Sequence, residues 1–93
     1  AKRRRRRPSA SEDAGAIRDR LSKQCLVLQE RHGLSMRETE VMELIARGNS
    51  MAAIAERLVI SENTVRTHAK HIYTKLDIHR RQELLDMLRE LGD

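Results

Sequence analysis

Ser61-Glu-Asn-Thr-Val-Arg-Thr-His-Ala-Lys-His-Ile-Tyr-Thr-Lys-Leu76 reads as one short helix. Val65, Ala69, Ile72 and Leu76 recur at spacings of four, three and four, which places them along one side. Arg66, Thr67, Lys70, His71 and Thr74 project away from that stripe and make a basic, hydroxyl-rich front. A helix with an apolar back and hydrogen-bond donors in front is what a DNA major groove accepts. Ser61 precedes the periodic run, where its hydroxyl can cap the first turn and define the end that meets base edges.

Upstream lies the support such a helix needs. Ser35-Met36-Arg37-Glu38 has the serine and glutamate three residues apart, the pattern of a capping box. Val41, Met42, Leu44 and Ile45 then supply an apolar face, and Gly48 stands where a left-handed cap ends the helix. Asn49-Ser50 opens a second short helix through Ile54, Ala55 and Leu58. The link Val59-Ile60-Ser61 has room only for a tight turn, so this helix and the next form a helix-turn-helix. A last helix begins near Arg80 and runs through Leu84, Leu85, Leu88 and Leu91 to Gly92. With no strand signal anywhere, the expected fold is all-α.

Residues 34–85 resemble the LuxR/FixJ-type helix-turn-helix, the output domain of many bacterial response regulators and quorum-sensing regulators. The resemblance starts with Leu34-Ser35-x-Arg37-Glu38-x-Glu40-Val41 and Ile45-Ala46-x-Gly48. It continues through Ile54-Ala55-x-x-Leu58 and Ile60-Ser61-x-x-Thr64-Val65-Arg66-x-His68. Ile72-x-x-Lys75-Leu76 and Arg81-x-Glu83-Leu84 complete it. It implies a four-helix domain over residues 34–93, with a recognition helix at about 62–76.

The resemblance also implies roles, position by position. Base contacts fall to Arg66, Thr67 and Lys70: the two cations can donate to guanine edges, and the threonine methyl can meet a thymine methyl. Phosphate contacts fall to Ser61, Asn63, Thr64, His71 and Lys75, at the helix end and flanks. Dimerisation falls to Leu84, Leu85 and Leu88 on the last helix. Met51-Ala52-Ala53 departs from the Asn-Lys-Glu often found in the family, which removes a positive phosphate ligand and half of a capping box. His79 and Arg80 stand where small hydroxyl residues are common.

Six of the nineteen Lys and Arg residues form the run Lys2–Arg7; without it, thirteen basic residues face fourteen acidic ones. The remainder is therefore not basic overall, yet residues 61–81 carry five Lys or Arg against Glu62 and Asp77. Phosphate binding needs such a local field rather than a basic protein. The arginine run has no apolar residue with which to fold. Three readings of residues 1–8 stay open: an arm adding non-specific DNA affinity, a juxtamembrane segment held by anionic lipid, or a solvated linker. Lys and Arg accumulate in cytoplasmic loops beside membrane helices. The chain begins with Ala, so we expect a processed protein or a piece of a larger regulator, with a membrane-embedded sensor upstream as one form of it. No apolar run within the chain approaches the roughly twenty residues a membrane span needs.

Residues 9–33 read as an additional N-terminal helix. Ser9-Ala10-Ser11 with Glu12-Asp13 suits a helix start. Ile17, Leu21, Cys25 and Leu28 form a stripe, widened by Leu26 and Val27, until Gly33 stops the run. One reading packs this helix against the small domain, whose core is otherwise meagre. The other pairs it with its copy as a signalling helix, although Gln24 in the middle of the seam disfavours a strong coiled coil.

Composition narrows the rest. With no Phe or Trp and a single Tyr, the core must be aliphatic. Cys25 is the one cysteine, so no internal disulfide forms, and its place on the stripe makes it a small core residue. His68 and His71 share a helix without further ligands at metal-binding spacing, so no cofactor or metal is expected. Glu38, Glu40 and Glu43 open a helix, where they serve capping and ion pairing, with Glu40 directed toward the recognition helix. No phosphate loop, nucleophile elbow or acid–base pair is visible, so the chain is not expected to be an enzyme. The expected partners are double-stranded DNA, a second copy at least on DNA, RNA polymerase and an upstream sensor, all in the cytoplasm. Two other readings use the same fold: a polymerase-binding module like region 4 of a sigma factor, and a protein-interaction domain that has lost DNA binding.

Overall fold

Caps set the boundaries of the helices. In the computed structural model, which describes residues 9–91 and side chains from Arg20 onward, five helices follow one another. They are α1 (Ser9–His32), α2 (Met36–Ala46), α3 (Met51–Leu58), α4 (Glu62–Leu76) and α5 (Arg81–Glu90). No strand occurs among the described residues, and the all-α expectation holds. The arginine run, the side chains of Ser9, Ser11 and Ile17, and Gly92 lie outside what is described.

Three helices open on a serine. Ser35, Ser50 and Ser61 accept from the backbone N–H groups of Glu38, Ala53 and Thr64, each satisfying a donor that the first turn leaves open. At α2 the box is reciprocal, because the Glu38 carboxylate accepts from Ser35 N–H at 2.9 Å. Helix α5 starts differently: Glu83 Oε1 accepts from the N–H groups of His79 and Arg80 at 2.6 and 3.0 Å.

The C-terminal ends share one device. Gly33, Gly48, Val59 and Asp77 adopt left-handed backbone with φ of 67°, 95°, 57° and 58°. In each case the next N–H reaches back five residues: Leu34 to Gln29, Asn49 to Leu44, Ile60 to Ala55, and Ile78 to Tyr73. This closes orphan carbonyls at the helix end and turns the chain sharply. Leu34 and Ile78, which follow two of these turns, are buried and extend the core beyond the helices.

Every helix contributes to a single aliphatic core. Cys25 and Leu28 come from α1; Val41, Met42 and Ile45 from α2; and Ile54 and Ala55 from α3. Helix α4 adds Val65, Ile72 and Leu76, and α5 adds Leu84 and Leu88. Helix α4 packs on α2 and α3, while α1 packs on α2 and α5. Cys25 and Leu28 are 0% and 2% exposed, so the second half of α1 is part of this core rather than a free seam. Ser22 Oγ donates to the Glu43 carboxylate at 3.1 Å and ties α1 to α2 again. Leu26 is 55% exposed and falls outside the apolar stripe it was expected to widen. Burial drives the Cys25 thiol up to about 12, in keeping with a packing role.

Candidate nucleic-acid interface

The turn Val59–Ser61 delivers α4 across α2 and α3, and the apolar stripe then fixes its rotation. Val65 and Ile72 are fully buried and Leu76 nearly so, which commits the opposite side to solvent. Arg66, Thr67 and Lys70, the residues expected to read bases, are all exposed on that side, within about one turn of each other. The Thr67 hydroxyl donates to the Asn63 carbonyl at 3.0 Å, which leaves its methyl for apolar contact. Arg66 Nη2 lies 3.1 Å from Glu62 Oε1, an ion pair one turn apart along the same face.

Ser61, Asn63 and Thr64 are exposed at the N-terminus of α4. The Ser61 and Thr64 hydroxyls lie 2.9 Å apart beside the capped first turn. A helix N-terminus carries unpaired N–H groups and a partial positive charge, so this end suits a phosphate.

Lys75 and His71 sit in a different environment. Lys75 Nζ is 2.8 Å from Glu38 Oε1 and 3.2 Å from the Gly33 carbonyl. His71 Nδ1 is 3.7 Å from Glu38 Oε2. The Glu38 side chain is only 7% exposed, so Lys75 neutralises a buried carboxylate where α1, α2 and α4 meet. Its hydrogen bond, followed by that from Ser35 N–H, holds the Glu38 carboxyl below its ordinary value. The acid that reaches α4 is therefore Glu38 and not Glu40. Glu40 pairs with Arg37 on its own helix at 3.2 Å, because two residues of helix carry it about 200° around, to the exposed side.

The leucines of α5 divide between the core and the surface. Leu84 and Leu88 are 0% and 4% exposed, with their side chains committed to the protomer core. Leu85 is half-buried and keeps a surface. By helical spacing it shares a side with Gln82, Asp86 and Arg89, and Asp86 accepts from both of the others.

Two contacts escaped the sequence reading. Arg81 Nε donates to the Ile45 carbonyl at 3.1 Å and so caps the C-terminus of α2 from α5. The Glu62–Arg66 pair was open to detection from its i,i+4 spacing alone; the Arg81 contact, thirty-six residues apart, was not. Among the described residues, no group of three His, Cys, Asp or Glu is placed to hold a metal ion. Nor is any described helix long and apolar enough to cross a membrane.

Comparison with known proteins agrees with this geometry. The family model for bacterial regulatory proteins of the luxR family matches residues 32–88, from the end of α1 into α5. The oxygen regulatory protein NreC of Staphylococcus haemolyticus is 47% identical over 53 residues, covering 57% of this chain and 24% of that protein. Proteins of the same name from Staphylococcus epidermidis and Staphylococcus aureus are 45% identical over 53 residues, with the same coverage. The chain thus spans about a quarter of the length of these curated relatives. No solved structure matches it. With its helix-turn-helix, the chain belongs to the luxR family of bacterial regulatory proteins and carries that family's DNA-binding domain.

Proposed function

We propose that this chain is the output domain of a bacterial response regulator and binds specific double-stranded DNA with α4 in the major groove. One observation carries the reading: Arg66, Thr67 and Lys70 stand exposed together on a helix whose rotation is locked by Val65, Ile72 and Leu76. Arg66 and Lys70 donate to guanine edges, and the Thr67 methyl meets thymine. Ser61, Asn63 and Thr64 hold phosphates at the helix N-terminus, with His71 and Lys75 at the flank. Lys75 serves there as a secondary contact, since its first partner is Glu38.

Two copies pair on inverted half-sites through the outward side of α5, centred on Leu85. Recognition helices then enter successive major grooves, about 34 Å apart. The relatives named oxygen regulatory proteins support a place in signal-dependent transcription. A sensor upstream and RNA polymerase complete the assembly, in the cytoplasm where the DNA lies.

The test is an unbiased selection of duplexes from a random pool, run with the intact chain and with an Arg66→Ala/Lys70→Ala double variant. An inverted-repeat motif that disappears in the variant is the expected result. Equal, salt-sensitive retention of both proteins without any enriched motif overturns specific recognition through α4.

A further inference from the structure

We propose that Glu62 determines specificity through Arg66: its carboxylate fixes the guanidinium on the DNA-facing side of α4 and so sets which base pair Arg66 accepts. The proposal rests on the reading of α4 as the base-reading helix.

Glu62 is the single acid in the fifteen residues of α4. It stands at the first helical position, at the end that enters the groove, where phosphates surround a negative charge. Such a placement opposes DNA binding unless the carboxylate gives something back. The structure provides the compensation directly, in the 3.1 Å contact between Glu62 Oε1 and Arg66 Nη2. The two side chains are 45% and 60% exposed, so the pair stands in solvent on the same side as Thr67 and Lys70.

An exposed arginine samples many rotamers, whereas reading guanine O6 and N7 requires one bidentate geometry. Anchoring one Nη2 proton to Glu62 narrows that choice before DNA arrives and leaves the remaining donors for a base edge. The carboxylate adds a second filter. Guanine and thymine present acceptors in the major groove, and an acid beside them is repelled; only the amino groups of cytosine or adenine suit it. Glu62 and Arg66 therefore act as one unit, the arginine selecting and the glutamate orienting and excluding.

A plainer role is available to Glu62, since an acid at this position suits the helix dipole whatever it touches. The two roles separate in DNA binding. From the selected operator, duplexes are made with each alternative at the base pair that Arg66 reads, and at the base pair that Lys70 reads. Dissociation constants are measured at one fixed salt concentration for wild type, Glu62→Gln, Glu62→Asp and Arg66→Ala.

Removing the charge in Glu62→Gln should tighten binding to every duplex, yet discrimination at the Arg66 base pair should fall by about tenfold. Discrimination at the Lys70 base pair should be unchanged. Glu62→Asp keeps the charge with a shorter reach, and should lose the same discrimination without a general gain in affinity. If both Glu62 variants change all duplexes by a common factor, Glu62 acts only through the dipole and the proposal is overturned. If Arg66→Ala itself leaves discrimination intact, the base-reading assignment fails first and takes this proposal with it. That arm does not involve Glu62, so the two failures are told apart.

Discussion

Val59 is the residue whose conformation is hardest to reconcile with its chemistry. It occupies the left-handed region at φ 57° and ψ 51°, it is β-branched, and it is 87% exposed. The equivalent position after α1 and α2 is glycine, and after α4 it is aspartate. Glycine has no Cβ, and the short polar side chain of Asp or Asn hydrogen-bonds locally, so these tolerate left-handed backbone; other residues pay roughly 1–2 kcal/mol, and a β-branched one is a true outlier. The helix-turn-helix imposes the conformation from outside: Ile60 N–H must return to Ala55, and Ile54 and Val65 on either side are fully buried. Val59→Asn should therefore stabilise the domain by about 1 kcal/mol, a rise of about 4–8 °C in Tm by thermal unfolding. An unchanged or lower Tm would mean that the valine makes a compensating contact. The caps at Ser35, Ser61 and Gly48 were legible because a serine or glycine there agrees with its local preference. The strain at Val59 was not, because local preference argues against the conformation that packing requires.

Among the elements, the contact that matters most for α4 is the one that couples it to α2. Glu38 caps α2 and, from the same carboxylate, holds Lys75 of α4, which in turn reaches the Gly33 carbonyl at the end of α1. Three elements thus share one buried charge. Because the folded carboxyl sits below its unfolded value of 4.5, this stabilisation is complete above that value. It is lost as pH falls through the depressed folded value. Glu38→Gln should cost about 1–3 kcal/mol at neutral pH, and its deficit against wild type should shrink steadily below pH 4.5 in urea unfolding series. A pH-independent deficit would assign the loss to packing instead. The sequence shows the capping box but not Lys75, since thirty-seven residues separate the partners and only the packing of α4 on α2 joins them. The leucines of α5 carry the same lesson. Spacing marks Leu84, Leu85 and Leu88 as apolar without saying whether a core or a second copy takes them, and so small a domain needs Leu84 and Leu88 for itself. Leu84→Ala should lower stability by about 2–5 kcal/mol. Leu85→Ala should leave the fold intact and instead weaken binding to a two-half-site duplex far more than to a single half-site. Equal effects on both duplexes would remove α5 as the pairing surface.

Across the whole molecule, positive charge is divided between two places that answer different experiments. Without Lys2–Arg7 the chain carries thirteen basic and fourteen acidic residues, so the domain approaches DNA with a local patch and no net attraction. That patch is smaller than the sequence suggests, because Lys75 is neutralised by Glu38 and Arg66 is paired with Glu62. Among the described residues Lys70, Arg80 and Arg81 have no carboxylate partner, and with the α4 N-terminus they remain as its sources. Non-specific affinity, if the arm supplies it, must then scale with the number of phosphates the arm covers. Each neutralised phosphate adds roughly 0.9 to the slope of log affinity against log salt. Deleting residues 1–7 should flatten that slope by up to about five units and weaken all duplexes alike. The selected motif should survive unaltered, because the side of α4 proposed to read bases is untouched. An unchanged slope would exclude the arm as a DNA ligand and leave the lipid and linker readings, which binding to vesicles of anionic against neutral lipid separates. A slope that flattens together with a changed motif would show instead that the arm enters a groove and reads sequence, a role its six consecutive cations could fill only where the minor groove is narrow.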